Sequence, residues 1–254
     1  MKKPFLCCSY PKCGRTWLRF VLANYFNQVN NLVDSVNYNN VFSLFPNSGN
    51  NLSRGVPAYQ YMNNKRLPLI LFDHTLYRTE FNSVDVIFLV RGVLDTLVSN
   101  YFQATNRLGM YKGDIQAYIR DPEQGLDNLI NYYNNWGKGL GNTKHCVIRY
   151  EDMHEDIYAC IKKLFMLLGI TLDKVALSVA VELSTFSNMK SIELKEGFAN
   201  QKQEIKTGDN NAMRAREGKV GGYKKYFSDQ DIAYINERCE QFFSPAAKIL
   251  LKSD

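Results

Sequence analysis

Ser9-Tyr10-Pro11-Lys12-Cys13-Gly14-Arg15-Thr16-Trp17-Leu18 follows directly on a short apolar run, Phe5-Leu6-Cys7-Cys8. The run has the length of a buried strand, and Pro11 and Gly14 punctuate a turn. Trp17, Phe20, Val21 and Tyr25 then recur at helical spacing. A turn that opens a helix presents unpaired backbone N–H groups and the positive end of the helix dipole. That is a site for a phosphate or a sulfate, and Lys12 adds a full positive charge to it. The spacing G-x-x-x-x-G-K-[ST] is absent, so the stretch is not a Walker A loop. The alternative reading is that Pro11 and Gly14 merely shape an ordinary strand–helix turn.

Working outward, apolar runs alternate with amphipathic segments. Strands are expected at Phe5–Ser9, Leu69–Phe72, Val84–Val90 and Cys146–Arg149, and helices at 14–27, 93–106, 125–138, 154–168 and 229–243. This alternation predicts an α/β fold with a central, mostly parallel sheet flanked by helices in three layers. In such sheets ligands bind beyond the carboxyl ends of the strands. Lys12, His74, Arg91 and Tyr150 all stand just past a predicted strand end. Two polar stretches, Pro46–Pro57 and Lys195–Met213, lack periodicity and are expected as loops, the second as a lid over the site. No linker divides the 254 residues, so residues 1–254 are expected to form a single domain.

The net charge is +6. Residues 190–225 hold nine Lys or Arg against five Asp or Glu, which fits a polyanionic small molecule, a nucleic acid, or simply a solvated surface. The six cysteines form no C-x-x-C pair and no zinc-ligand spacing, and are read as reduced thiols of a cytoplasmic protein. The N-terminal apolar run is too short for a signal peptide, and no segment has membrane-spanning length.

Further candidates lie along the chain. Arg91 ends a strand and Ser99 follows eight residues later, so a guanidinium fork and a hydroxyl can converge on one phosphate. Arg216-Glu217-Gly218 sits in the basic region, where the glycine lets a backbone N–H approach an anion. Trp17, Tyr150 and Phe186 are aromatic residues near these groups, able to stack on a base or to fill the core. Of three histidines, His145 and His154 are assigned to structure or surface.

These stretches together resemble the cytosolic sulfotransferase family, whose donor is 3′-phosphoadenosine 5′-phosphosulfate (PAPS). The turn resembles that family's Y-P-K-S-G-T-T-W. Arg91 to Ser99 resembles R-x-x-x-D-x-x-x-S. Ser184-Thr185-Phe186-Ser187-Asn188-Met189-Lys190 is similar to T-S-F-x-x-M-K. Ile148-Arg149-Tyr150-Glu151-Asp152-Met153 contains the family's Y-E-D-M/L, and 214–224 resembles R-K-G-x-x-G-D-W-K. The resemblance runs from Tyr10 to Lys224 and implies a P-loop-like fold, with PAPS as co-substrate and no metal. It implies that Lys12, Cys13, Gly14, Arg15, Thr16 and Trp17 form the donor-binding turn. Arg91, Ser99, Arg216 and Gly218 would hold the 3′-phosphate, with Glu217 at the cofactor-binding position between the last two, and Tyr150, Ser184 and Phe186 would reach the adenine. His74, in Phe72-Asp73-His74-Thr75-Leu76, would be the general base and Lys12 its catalytic companion.

The chain departs from the family at Phe72 and Glu217, where relatives carry lysine, and at Arg15, where they carry threonine. The family's dimer motif is not matched after Lys224. The partner expected is a small-molecule acceptor rather than a nucleic acid or a membrane. Phe20, Phe45, Tyr77, Tyr101, Phe102, Tyr133 and Trp136 are candidates for an apolar acceptor pocket, or for the core. Two other readings remain: a small-molecule kinase, which lacks the Walker A Lys-Ser/Thr here, and a nucleic-acid-binding module using the basic region.

Overall fold

Four parallel strands form one sheet in the order β2-β1-β3-β4, from β1 (Phe5–Ser9), β2 (Ile70–Asp73), β3 (Asp85–Val90) and β4 (His145–Arg149). This is a computed structural model, and it describes residues 4–49, 66–196 and 210–252. Cys8 lies beside Asp73 on one side and Phe88 on the other, and Val90 lies beside Arg149. All four strands therefore end on the same rim. β1 and β3 are the inner strands; Asp85–Val90 is buried throughout, as a two-sided parallel strand must be.

Alternation along β1 assigns the layers. Cys8 and its neighbour Phe88 face α5 (Leu126–Gly139): the Cys8 thiol meets the Tyr132 hydroxyl at 3.3 Å, and Phe88 lies 4.9 Å from Trp136. Cys7 and its neighbour Phe72 point the other way, where Arg19 of α1 (Arg15–Asn30) stands 4.2 Å above the Phe72 ring. α1 packs in turn on α7 (Ile157–Leu168) through Tyr25 and Phe165, 4.7 Å apart, and on α8 (Lys174–Leu183). Across the sheet, α10 (Asp229–Phe242) is tied to α5 by a bidentate Arg238–Asp127 pair at 2.6 and 2.8 Å. Phe20, Phe45, Tyr133 and Trp136 have no exposed surface. Burial of each such side chain contributes ~1.5–3 kcal/mol.

The remaining helices are α2 (Val41–Leu44), α3 (Val93–Phe102), α4 (Ile115–Arg120), α6 (Tyr150–Glu155), α9 (Phe186–Glu196) and α11 (Pro245–Leu251). Several differ from the sequence reading. The helix expected at 154–168 is two helices, because Asp156 breaks the first and caps the second by accepting from Ala159 N–H at 3.0 Å. The helix expected to run to 106 gives way after Phe102 to a π-helical turn, Gln103–Arg107. The loop expected from Pro46 begins by pairing with β2: Phe72 N–H donates to Pro46 C=O at 2.9 Å, and Ser48 N–H donates to Phe72 C=O at 3.0 Å. The loop expected from Lys195 begins inside α9, and its residues 197–209 lie outside the described residues.

Candidate active site

Lys12 and Gly14 both adopt left-handed backbone, with φ of 71° and 93°. For Lys12 that conformation costs about 1–2 kcal/mol. For Gly14 it is free, and the position has no room for a side chain: a Cβ there would stand 2.8 Å from the Tyr150 ring. Two left-handed residues in one turn curl the backbone N–H groups inward. Gly14 caps α1 without a side chain, so the first N–H groups of that helix keep their positive ends toward the rim.

The rim opens into a cleft of about 540 Å³. Lys12, Gly14, Arg15, Thr16, Trp17, His74, Arg91, Ser99, Tyr150, Phe186, Arg216, Glu217 and Gly218 all line it, together with Arg214 and Lys219. These come from the turn, β2, β3, α3, α6, α9 and the loop 214–219. The cationic side chains outnumber the carboxylates of Asp95 and Glu217, and Asp95 is already engaged by Gly221 N–H at 2.6 Å and Tyr223 N–H at 2.9 Å. Burial, with Arg107, Arg214 and Arg91 nearby, lowers the Lys12 ammonium to about 7. An excess of largely half-buried positive charge of this kind is destabilising until an anion enters.

Arg91 fastens two parts of the site. Its guanidinium donates to Lys12 C=O at 3.1 Å and to Lys219 C=O at 3.2 Å, and lies 4.2 Å above the Tyr150 ring. Its buried Nε has no hydrogen-bond partner among the described residues, which fits a phosphate oxygen there. Arg216 donates to Glu217 at 3.0 Å and to the Tyr226 hydroxyl at 2.9 Å. Glu217, standing where relatives have lysine, thus neutralises part of the expected phosphate clamp. Gly218 has φ 61°, and a Cβ there would stand 2.2 Å from the Phe186 ring. The aromatic wall rests directly on that glycine.

His74 faces the phosphate turn from β2. Its Nδ1 donates to Ser9 C=O at 2.7 Å, which fixes the tautomer and leaves a lone pair on Nε2. The Arg15 guanidinium donates to that lone pair. Burial within the cleft and the charge of Arg15 both hold the imidazole well below its usual value. Solvent reaching the ring from the mouth softens the first effect, whereas the Arg15 contact keeps the same sign. Asp73, the neighbouring carboxylate, accepts from His74 N–H at 2.6 Å and Thr75 N–H at 3.0 Å and also binds Ser48, so it shapes the bend that carries His74.

Two expected contacts do not line the cleft. The Cys13 thiol turns inward to the Tyr133 hydroxyl at 3.5 Å, and burial pushes it up to about 11. Ser184 is fully buried and accepts from Asn24 at 2.9 Å, while its neighbour Thr185 lines the cleft instead. Conversely, His154, expected at the surface or in a structural role, lines the cleft 4.9 Å from Trp17 and 4.7 Å from Tyr150. Glu193 also escaped the sequence reading. It is buried, and its carboxylate accepts from Arg214 N–H at 2.9 Å and Ala215 N–H at 3.1 Å, anchoring the loop that carries Arg216. The seven aromatics considered for an acceptor pocket sit in the core or pack against it.

The family model described as "Sulfotransferase domain" matches residues 2–247. Sulfotransferase 2A1 of Rattus norvegicus is 28% identical over 166 residues, which span 64% of this chain and 56% of that protein. Sulfotransferase 1E1 of Bos taurus is 23% identical over 255 residues, covering 94% of this chain and 82% of that protein. The fold matches the crystal structure of mouse sulfotransferase SULT7A1 complexed with PAP at a TM-score of 0.69 and 18% identity, over 98% of this chain and 88% of that one. The parallel sheet, and a family match along almost its whole length, place this chain in the sulfotransferase family.

Proposed function

We propose that the cleft binds PAPS and that the protein transfers its sulfuryl group to a hydroxyl, or an amine, of a small-molecule acceptor, with His74 as general base. The observation that carries this reading is the uncompensated positive charge around the Lys12 turn, with one neutral imidazole at its edge. When bound, PAPS supplies an activated sulfuryl group on a 5′-phosphate leaving group.

The N–H groups at the start of α1, the Thr16 hydroxyl and Lys12 stabilise negative charge growing on that phosphate. Arg91 through its free Nε, Ser99, Arg216 and the Gly218 backbone hold the 3′-phosphate and so fix the donor's register. Trp17, Tyr150, Phe186 and His154 offer ring faces and edges to the adenine. His74 Nε2 takes the proton of the acceptor. Arg15 now occupies that lone pair, so the acceptor hydroxyl must replace it there. Replacement frees the guanidinium to face the negative oxygens around the sulfur, a place where relatives' threonine could offer no charge.

The test is transfer of label from ³⁵S-PAPS to an acceptor pool by the wild type and by His74→Ala. Loss of a general base costs about 10²- to 10⁴-fold in rate. The expected result is loss of transfer with 3′,5′-ADP affinity nearly unchanged. Undiminished turnover in His74→Ala, with loss in Asp73→Asn, would reassign the base.

A further inference from the structure

His74 also borders a second cavity of about 410 Å³, which Tyr10 and Pro11 line but Lys12 does not. Its composition differs from that of the donor cleft. Asn100, Gln103, Gln124, Asn128 and Asn131 contribute carboxamides, and Tyr10, Tyr118 and Tyr132 contribute phenol rings. Among the described residues Glu123 is the one charged side chain in its lining beside His74, and no lysine or arginine belongs to it. Leu76, Leu108 and Met110 form an exposed apolar lip.

The carboxamides are largely unspent. Gln103, Gln124 and Asn131 make no side-chain hydrogen bond to another described residue. Asn100 spends its amide on the Tyr118 hydroxyl at 2.8 Å, and Asn128 spends its own on Glu123 C=O at 2.6 Å, which leaves both side-chain oxygens as acceptors. Gln103 lies in the π-helical turn after α3 and lines both cavities, so it stands beside the point of transfer. A carboxamide both donates and accepts, as a hydroxyl does. A wall of them with aromatic rings and no cation matches neither an anionic acceptor nor a purely apolar one.

We infer that this cavity is the acceptor site and that it takes a neutral, polyhydroxylated acceptor of saccharide type, one hydroxyl presented to His74 and the others held by Gln103, Asn128 and Asn131. The inference rests on the reading of the donor cleft as the PAPS site. An apolar substituent on the sugar would lie against the Leu76, Leu108 and Met110 lip.

The test compares 4-nitrophenyl glycosides of neutral hexoses with 4-nitrobenzyl alcohol and 4-nitrophenol, which share the apolar ring but offer one hydroxyl. With ³⁵S-PAPS, kcat/KM for at least one glycoside is expected to exceed that for either single-hydroxyl compound by tenfold or more. Asn131→Leu, at an exposed position, is expected to cut that glycoside-to-alcohol ratio by about tenfold, because a pocket made to bind hydroxyls discriminates through its unpaired polar groups. The same glycoside is expected to give saturation-transfer NMR signals with the 3′,5′-ADP complex that weaken in Asn131→Leu. A preference for the alcohol or the phenol, or a ratio unchanged in Asn131→Leu, would overturn the inference. Failure of 3′,5′-ADP itself to bind would instead overturn the reading of the donor cleft.

Discussion

Lys12 combines two costs, a left-handed backbone and a half-buried ammonium lowered to about 7, and a bound anion offsets the second. The sign of its pH dependence follows. Above pH 7 the free protein holds Lys12 largely neutral, while an adjacent phosphate favours the charged form and raises its value. Binding of 3′,5′-ADP at pH 8 is therefore expected to take up part of a proton, and affinity falls as pH rises from 7. Calorimetry in two buffers of different ionisation heat measures this uptake; an uptake that persists in Lys12→Gln would assign it elsewhere. His74 behaves oppositely in consequence. Its lowered value keeps the base neutral well below pH 6.5, so no acid limb from this residue is expected near 6.5. Arg15→Met removes a like charge from Nε2 and should move the His74 titration upward, read by NMR of the ring proton; a downward move would contradict the assigned contact. At this scale the sequence made the anion turn, Arg91 and His74 legible because each follows a strand end in a short motif. It gave no sign of the Arg15–His74 contact, which depends on β1 and β2 being neighbours although 59 positions separate the two residues.

The elements that hold the site are anchored by buried carboxylates. Asp95 of α3 and Glu193 of α9 each accept two backbone N–H groups from the segment 214–223. Hydrogen bonds to a charged acceptor contribute ~1.5–3 kcal/mol each. Glu193→Ala is expected to weaken 3′,5′-ADP binding by about tenfold or more while leaving β1–β4 protected, with faster hydrogen exchange confined to residues near 214 and 215. Exchange spread over the sheet would mean a global rather than a local role. Gly218→Ala should likewise weaken donor binding, since it forces a side chain into left-handed backbone and against Phe186. The sequence failed to show Glu193 for a physical reason. On α9 the buried residues are Met189 and Glu193, so one turn of the inner face is apolar and the next is charged, and the helical period is hard to see. Strands β1 to β4 were legible to within a residue or so, because apolar runs bounded by turn residues or charges leave little choice of length. The break at Asp156 and the π-helical turn at Gln103–Arg107 were not, since both sit inside continuous helical patterns.

At the scale of the molecule, parallel strands in register bring four strand ends to one rim, and the site is built there from segments as distant as Lys12 and Lys219, joined through Arg91. The α/β architecture and its rim were legible from the alternation of strands and helices. The composition of the second cavity was not: the aromatic residues that suggested an apolar pocket went into the core or pack against it, and carboxamides scattered between Asn100 and Asn131 met in one cavity with His74. A ligand that binds the native state stabilises the whole fold by RT ln(1 + [L]/Kd), ~2.7 kcal/mol at a hundredfold excess over Kd. Thermal unfolding with 3′,5′-ADP and with 5′-AMP at equal concentration therefore reads out donor recognition, because the two differ only in the phosphate assigned to Arg91, Ser99, Arg216 and Gly218. A rise of several degrees is expected with 3′,5′-ADP, a much smaller rise with 5′-AMP, and loss of that difference in Ser99→Ala combined with Arg216→Ala; equal shifts from the two nucleotides, or none from either, would contradict a 3′-phosphate site at these residues.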